Sequence, residues 1–487
     1  MIFKQLLIIL LIFILGLYLR LPLINNEIGC TDSGYAMLLI VNNNWKTNGL
    51  INSNLLPLLT YPNKGDKHIA SYKRLEDLNG DNYFVSNPPT LFVFNYYISS
   101  LFMSNSKLLI QITSLILLFL TSVCMYYSVY VLIKNNFFAA ISIAIYNLSN
   151  ASLFLYTYNL PLELFLYSFS ILLFILFSKT NNIVYGYLTV CISLLFVYTD
   201  WLGLFYAIIL SFILYKLVAK QHKSKLLSQL CLYSTIAIIF IFAFQTFTVS
   251  SSLLSFVKSF SLRFMERTGF FGDKYSSDNL SIYNIQLWKN FILNFNKVLF
   301  PLGYIVMIVF IKNYIAIKKI VKNNLLLLLF IPLLIHIVLF FNLNATHYIY
   351  SSRIIFTISF IAGISFYNTY KSKINKLNTF FISFFFIASI FYSYYVFDND
   401  NKLRDSYCNL TKIKECTKFI KENINTNEAI ILYSVNENIR PEIIDYYSKR
   451  NVFVAKTIEE ANNFSLQLKQ KNYVIINYNN VTIWKRK

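Results

Sequence analysis

The sequence predicts a mainly α-helical, polytopic membrane protein that ends in a small α/β domain. Three observations carry this. Of the 487 residues, 56% are hydrophobic and only 13% are charged, against roughly 25% charged in soluble domains. Apolar runs approaching the ~20 residues of a spanning helix recur from Phe3 to Phe397. The tail from Asp398 onward changes character, holding eleven of the 22 acidic residues.

Taken in order, the apolar segments lie at 2–19, 89–103, 108–133, 136–148, 161–178, 182–198, 201–218, 226–248, 291–311, 325–342, 353–370 and 378–397. The first lacks a small-x-small cleavage site and is read as an uncleaved span rather than a signal peptide. The segment 89–103 is about 22 Å long as a helix, against a hydrocarbon core of about 30 Å. It is therefore read as tilted or re-entrant. That leaves eleven transmembrane helices, with the N-terminus inside and the C-terminus outside.

Charge sets the orientation. Lys and Arg collect in cytoplasmic loops, so the net charge of +21 marks a membrane protein with basic loops, suited to an anionic inner leaflet, and not a nucleic-acid binder. Placing Lys216–Lys225, Lys312–Lys322 and Lys371–Lys376 inside sends 249–290, 342–352 and the tail outside. The eleven acidic residues before position 398 then share the outer face, Glu163 and Asp200 at helix ends and Glu27 and Asp32 in a long first loop, 20–88. Loops of that length in compact folds carry function or short helices of their own. After Asp32, the spacing of Tyr35, Met37, Leu38, Ile40 and Val41 predicts an amphipathic helix along the membrane surface.

The tail is read as a domain of its own, 398–487, beside a membrane domain, 1–397. Its runs "AIILY", "NVFVA" and "YVIINY" alternate with helical patterns at about 410–424, 437–449 and 457–470, an α/β order. None of the six cysteines has metal-ligand spacing. Cys124, Cys191 and Cys231 lie in apolar runs and read as small hydrophobes; Cys408 and Cys416 form a candidate pair if the tail faces an oxidising compartment.

The first loop opens "RLPLINNEIGCTDSGYAMLLIV" and closes "YFVSNPPTLFVF". An acidic residue followed closely by Tyr, early in a long outer loop that ends in a "PPL"-like motif, resembles the GT-C membrane glycosyltransferases. The nearest group is family 39, which contains dolichyl-phosphate-mannose protein mannosyltransferases and the bacterial aminoarabinose lipid A transferase. "NLPLELFLYSF" around Glu163, "YTDWLGLFYAIIL" around Asp200 and "NATHYIYSSRIIF" with His347 and Arg353 resemble later family segments in the same order. The chain departs from the pattern in having Cys-Thr-Asp-Ser where a paired Asp-Glu is usual, and Glu163 where Asp is commoner.

The resemblance implies transfer of a sugar from a polyprenyl-phosphate donor to an acceptor hydroxyl on a lipid, glycan or protein, in one inverting displacement. Asp32 is then the general base, with Glu163 and Asp200 as further catalytic acids. The departing phosphate requires cations, for which Arg353, His347, Arg263 and Arg267 are the candidates. Tyr35, Asn87 and Glu27 are candidates for lining the acceptor site. No nucleotide is required and no metal is indicated.

Simpler readings stand beside these. Asp32 suits an N-cap, as does Asp200 before 201–218. Glu163 suits the first turn of a helix opened by Pro161. Arg353 suits a helix-end anchor, and Arg263 and Arg267 a surface stripe at i and i+4. At the level of function, a flippase for lipid-linked saccharides would place ionisable residues near mid-membrane and show an internal repeat, and a polysaccharide polymerase or ligase would carry its large loop late.

Overall fold

The computed structural model describes residues 2–25, 27–29, 32–61, 75–153, 160–217, 223–270, 281–346, 350, 353–371, 387–399, 409–435, 440–468 and 472–486. In the membrane region the helices are α1 (Ile2–Arg20), α2 (Ser33–Asn48), α3 (Thr90–Leu101), α4 (Lys107–Ile133), α5 (Asn136–Leu148), α6 (Asn150–Leu153), α7 (Leu160–Thr180), α8 (Ile183–Val197) and α9 (Trp201–Leu217). They continue with α10 (Lys223–Val249), α11 (Leu253–Thr268), α12 (Ile285–Leu299), α13 (Leu302–Lys312), α14 (Tyr314–Leu339), α15 (Phe341–Thr346) and α16 (Arg353–Lys371). The tail adds α17 (Leu410–Asn423), α18 (Pro441–Ser448) and α19 (Ile458–Gln467).

Contact density divides the chain into two compact units. The first comprises Met1–Ile24, Gln111–Ile241 and Phe264–Asn399, and the second Asn25–Ile110, Phe242–Arg263 and Asp400–Lys487.

Among the described residues, Phe3–Leu23, Lys107–Ile133, Leu160–Thr180, Ser224–Val249 and Tyr314–Leu339 are long and apolar enough to cross a membrane. The pair α12 and α13, bent by 82°, makes a sixth if counted as one span, and α5, α8 and α9 are shorter apolar helices. These stand against the eleven expected. The segment 89–103 forms α3, only about 18 Å long and so too short to span. The basic stretch Lys312–Lys322, expected as a loop, is mostly helical: α14 starts at Tyr314 and breaks at Lys322, whose φ of 59° is left-handed.

Close approach fixes the first unit. A Cβ on Gly363 of α16 would lie 2.3 Å from the Phe138 carbonyl oxygen of α5, and one on Gly203 of α9 would lie 2.2 Å from that of Phe196 in α8. Glycine is required at both, because the obstacle is backbone and cannot move aside. Polar ties cross the same bundle. The Tyr167 hydroxyl of α7 donates toward the carbonyls of Leu328 and Leu329 in α14. Arg20, buried at the end of α1, donates to the carbonyls of Asn147 and Ser152 at 3.0 Å each. Ala for Gly normally stabilises a helix by up to ~1 kcal/mol. Gly203→Ala is expected to reverse that sign, lowering the melting temperature in detergent by overpacking worth about 1–3 kcal/mol. An unchanged melting temperature would contradict this helix contact.

In the second unit, α2 forms where the sequence places it but is not two-sided. Tyr35, Ala36, Leu38, Leu39, Ile40, Val41, Asn42, Asn44 and Trp45 are all buried, and the helix packs on α3 and α18. Burial this wide is possible because several of its polar groups find partners within the unit. Asn44 donates to the carbonyls of Leu58 and Thr60 at 2.9 Å each, and the Trp45 indole donates to Leu56. An unsatisfied amide there would cost about 1–3 kcal/mol.

The tail adopts the α/β order its pattern predicts. Strands β3 (Ala429–Tyr433), β4 (Val452–Val454), β5 (Tyr473–Asn477) and β6 (Thr482–Arg486) follow the hairpin β1 (Leu75–Glu76) and β2 (Asn82–Tyr83) of the first loop. The sheet order is β4-β3-β5-β6, parallel except for β6, which pairs antiparallel with β5. The sequence reading missed β6, whose residues are exposed and lack an apolar run. Cys416 is buried in α17; its candidate partner Cys408 lies outside the described residues.

Candidate functional site

The described site residues form two groups, one in each unit. The first group is built on the starts of three helices. Glu163 stands in the first turn of α7, Asp200 immediately before α9, and Arg353 at the start of α16. Arg353 Nη2 donates to Glu163 Oε2 at 2.6 Å and lies 3.0 Å from Asp200 Oδ1. The three are 0–2% exposed. Asp200 also caps α9, its Oδ1 accepting from the Leu202 amide at 3.0 Å.

His336 of α14 completes the group. One of its ring nitrogens accepts from Arg353 Nη1 at 2.5 Å, since a guanidinium can only donate, and the ring lies 4.0 Å from Asp200. Among the described residues, Glu163 Oε1 and Arg353 Nε are buried without a hydrogen-bond partner. The guanidinium also lies over the Tyr350 ring, 5.0 Å from its centroid. Burial holds the Tyr350 phenol above its ordinary range against the pull of Arg267 and then Arg353, which places Arg267 of α11 within electrostatic reach of this group. Arg263 and Arg267 sit at i and i+4 on α11, as their spacing predicts. His347 lies outside the described residues.

The second group surrounds Asp32. Asp32 occupies the N-cap position of α2 but its side chain makes no capping bond. The carboxylate turns back instead. Its Oδ2 accepts from the Gly29 amide at 2.8 Å and from Lys107 Nζ at 2.7 Å. Lys107 is 4% exposed, and its remaining donors reach Asn25 Oδ1 at 2.9 Å and the Glu27 carbonyl at 2.7 Å. All three of its N–H bonds are thereby used. The ammonium also lies 5.5 Å from the centroid of the buried Tyr35 ring. Oδ1 of Asp32 accepts no hydrogen bond from the described residues, while the side chain keeps 14% of its exposure. One oxygen is anchored and the other is open.

The tail domain holds this loop in place. The Tyr447 hydroxyl of α18 donates to the Ile28 carbonyl at 2.9 Å; burial first, then the nearby Glu27 charge, pushes that phenol up to about 12, so it remains a donor at neutral pH. Lys414 pairs with the exposed Glu27 carboxylate. Asn451 brackets Tyr61, accepting from its amide at 2.8 Å and donating to its carbonyl at 3.1 Å. Asn87, before α3, is buried.

Two charged or titratable partners were not anticipated. Lys107 is the one charged residue between Asn87 and Lys134. His336 is the one titratable side chain in the apolar run 325–342. Each was visible as an exception to its surroundings. Among the described residues, no three His, Cys, Asp or Glu side chains are arranged to share a metal ion; the cation between Glu163 and Asp200 is Arg353.

No protein-family model and no curated protein matches the sequence. Solved structures do. The archaeal oligosaccharyltransferase AglB from Archaeoglobus fulgidus, in complex with an inhibitory peptide and a dolichol-phosphate, aligns at TM-score 0.56 and 12% identity, covering 97% of this chain and 69% of that one. The Archaeoglobus fulgidus oligosaccharyltransferase in complex with zinc and sulfate aligns at 0.56 and 13%, covering 93% of this chain and 62% of that one. ArnT from Cupriavidus metallidurans, bound to undecaprenyl phosphate, aligns at 0.53 and 11%, covering 96% and 88%. At such identities the likeness is one of fold. The chain is a multi-pass membrane protein with the GT-C fold.

Proposed function

We propose that the protein is a glycosyltransferase that takes a sugar from a polyprenyl-phosphate donor and delivers it to an acceptor hydroxyl on the extracytoplasmic face of the membrane. The observation that carries this reading is the half-anchored carboxylate of Asp32 on a GT-C fold. The acceptor oxygen forms a bond to the anomeric carbon with inversion. The carbon–oxygen bond to the phosphate breaks, and its electron pair leaves with the lipid phosphate. The acceptor proton passes to Asp32 Oδ1. A base in that role has to be fixed in direction; Lys107 and the Gly29 amide do this through Oδ2.

The leaving phosphate calls for cations aimed at developing charge. Arg353 is already shared between Glu163 and Asp200, which offsets most of its field. This reading therefore gives the phosphate to Arg267 and His347 and makes Arg353 the holder of the buried acids. The likeness to proteins solved with dolichol-phosphate and undecaprenyl phosphate supports a polyprenyl-phosphate donor.

Membranes containing the protein, supplied with polyprenyl phosphate carrying a labelled sugar and with cell-envelope acceptors, are expected to move label out of the lipid-phosphate fraction. Lys107→Met is expected to cut kcat by about 10–100-fold with little change in KM, and Lys107→Arg to restore part of it, because Lys107 positions Asp32 without touching substrate. Label retained on the donor across acceptor classes would overturn the function. Full kcat in Lys107→Met would overturn only the positioning role.

A further inference from the structure

We propose that the lysine-lined end of the first unit is a binding site for an anionic phospholipid, with the phosphate held by Lys179, Lys319 and Lys322. The site is a cavity of about 550 Å³ that opens between the ends of α4, α7, α9 and α14. Its inner wall is apolar, formed by Leu132, Phe174, Phe177, Leu217 and Leu325, and its rim carries the three lysines together with Asn181. Among the described residues, no carboxylate lines it.

Three features point to a lipid anion. The lysines come from segments about 140 residues apart in sequence and converge on one opening. They are exposed, and none makes a salt bridge among the described residues. Lys322 is set by the break in α14, where a left-handed φ of 59° interrupts the helix. A positive φ is uncommon for an L residue, and Lys319 and Lys322, on the N-terminal side of the break and at it, both line the cavity.

The apolar wall excludes a purely ionic occupant. A small free anion would leave Phe174 and Leu132 against water, whereas a phospholipid places its phosphate on the rim and its acyl chain along the wall. Position agrees with this. Lys179 lies about 24 Å along α7 from Glu163 at 1.5 Å per residue, so the cavity is at the opposite end of the bundle from the buried acids. The positive-inside pattern assigns that end to the cytoplasm, where anionic phospholipids are attracted to basic pockets between helices.

The inference is independent of the transfer chemistry. The test uses the full chain in a zwitterionic detergent, with retention of phosphatidylglycerol and phosphatidylcholine of matched acyl chains measured by native mass spectrometry. Wild type is expected to retain phosphatidylglycerol about tenfold over phosphatidylcholine, on the scale of several lysines each contributing to anionic-lipid attraction. Combined Lys179→Gln, Lys319→Gln and Lys322→Gln is expected to erase that preference. A control with the same change in net charge outside the cavity, Lys216→Gln with Lys312→Gln and Lys371→Gln, is expected to keep it. Equal loss in both triple variants would reduce the effect to diffuse charge and overturn the site, as would no preference in wild type. Displacement by millimolar inorganic phosphate would identify a free-anion site instead, and stronger retention of undecaprenyl phosphate than of phosphatidylglycerol would identify a polyprenyl site; either overturns the assignment.

Discussion

Asp32→Asn is expected to abolish sugar transfer, lowering kcat by about 10²–10⁴, the range a general base contributes, while leaving expression and membrane insertion intact. Asn is nearly isosteric with Asp. Its amide oxygen can still accept from the Gly29 amide and from Lys107, the two bonds that Oδ2 now makes. Its NH₂ would then stand where Oδ1 is open, and that group cannot take a proton. The substitution therefore separates structure from chemistry. Turnover at the wild-type rate in membranes supplied with labelled donor would remove Asp32 from the reaction. Loss of the folded protein would instead assign Asp32 to the anchoring of α2, a role the loss of one charge-assisted bond, worth about 1.5–3 kcal/mol, could reveal in melting temperature.

The simpler reading of Asp32 as an N-cap and the chemical one are distinguished by geometry that sequence does not carry. A capping Asp accepts from the amide at N2 or N3, and Asp32 bonds backward to Gly29 instead. Local sequence allows both. The choice is made by Lys107, 75 residues later, which draws the carboxylate away from the helix. Asp200 shows the reverse outcome, since it caps α9 and also meets Arg353, so here the two readings were never exclusive.

What was legible in the sequence is what depends on local pattern. Long apolar runs gave the helices of the first unit, and alternating short strands and helices gave the tail sheet. Order and sidedness placed Asp32, Glu163, Asp200 and Arg353 in one set; Arg353 lies within 3.0 Å of Glu163 and Asp200, while Asp32 belongs to the other unit. What was not legible depends on contacts. The spacing of Tyr35 to Val41 reads as a one-sided surface helix because periodicity reports only which residues are apolar; burial of the polar face by Leu58, Thr60 and α18 is a tertiary event. The break at Lys322 has no Pro or Gly to announce it.

Arg353→Met is expected to be the most destabilising single change in the protein, costing about 3–5 kcal/mol, because it leaves Glu163 and Asp200 as two buried carboxylates without their cation. Removing a partner from a buried ion pair costs far more than the pair contributes, since the remaining charges are not rehydrated. The same argument predicts recovery. Glu163→Gln and Asp200→Asn added to Arg353→Met make the group neutral, and replacing a whole buried ionic group is commonly close to neutral in stability. The triple variant should therefore recover most of the wild-type half-life at elevated temperature in detergent, and that measurement decides the case. If Arg353→Met alone were as stable as wild type, the carboxylates would have to be held protonated or reached by water, and the buried ionic group would not be the fastening between α7, α9 and α16. If the triple variant were stable and also active, the group would be structural alone, and the donor phosphate would owe nothing to Arg353.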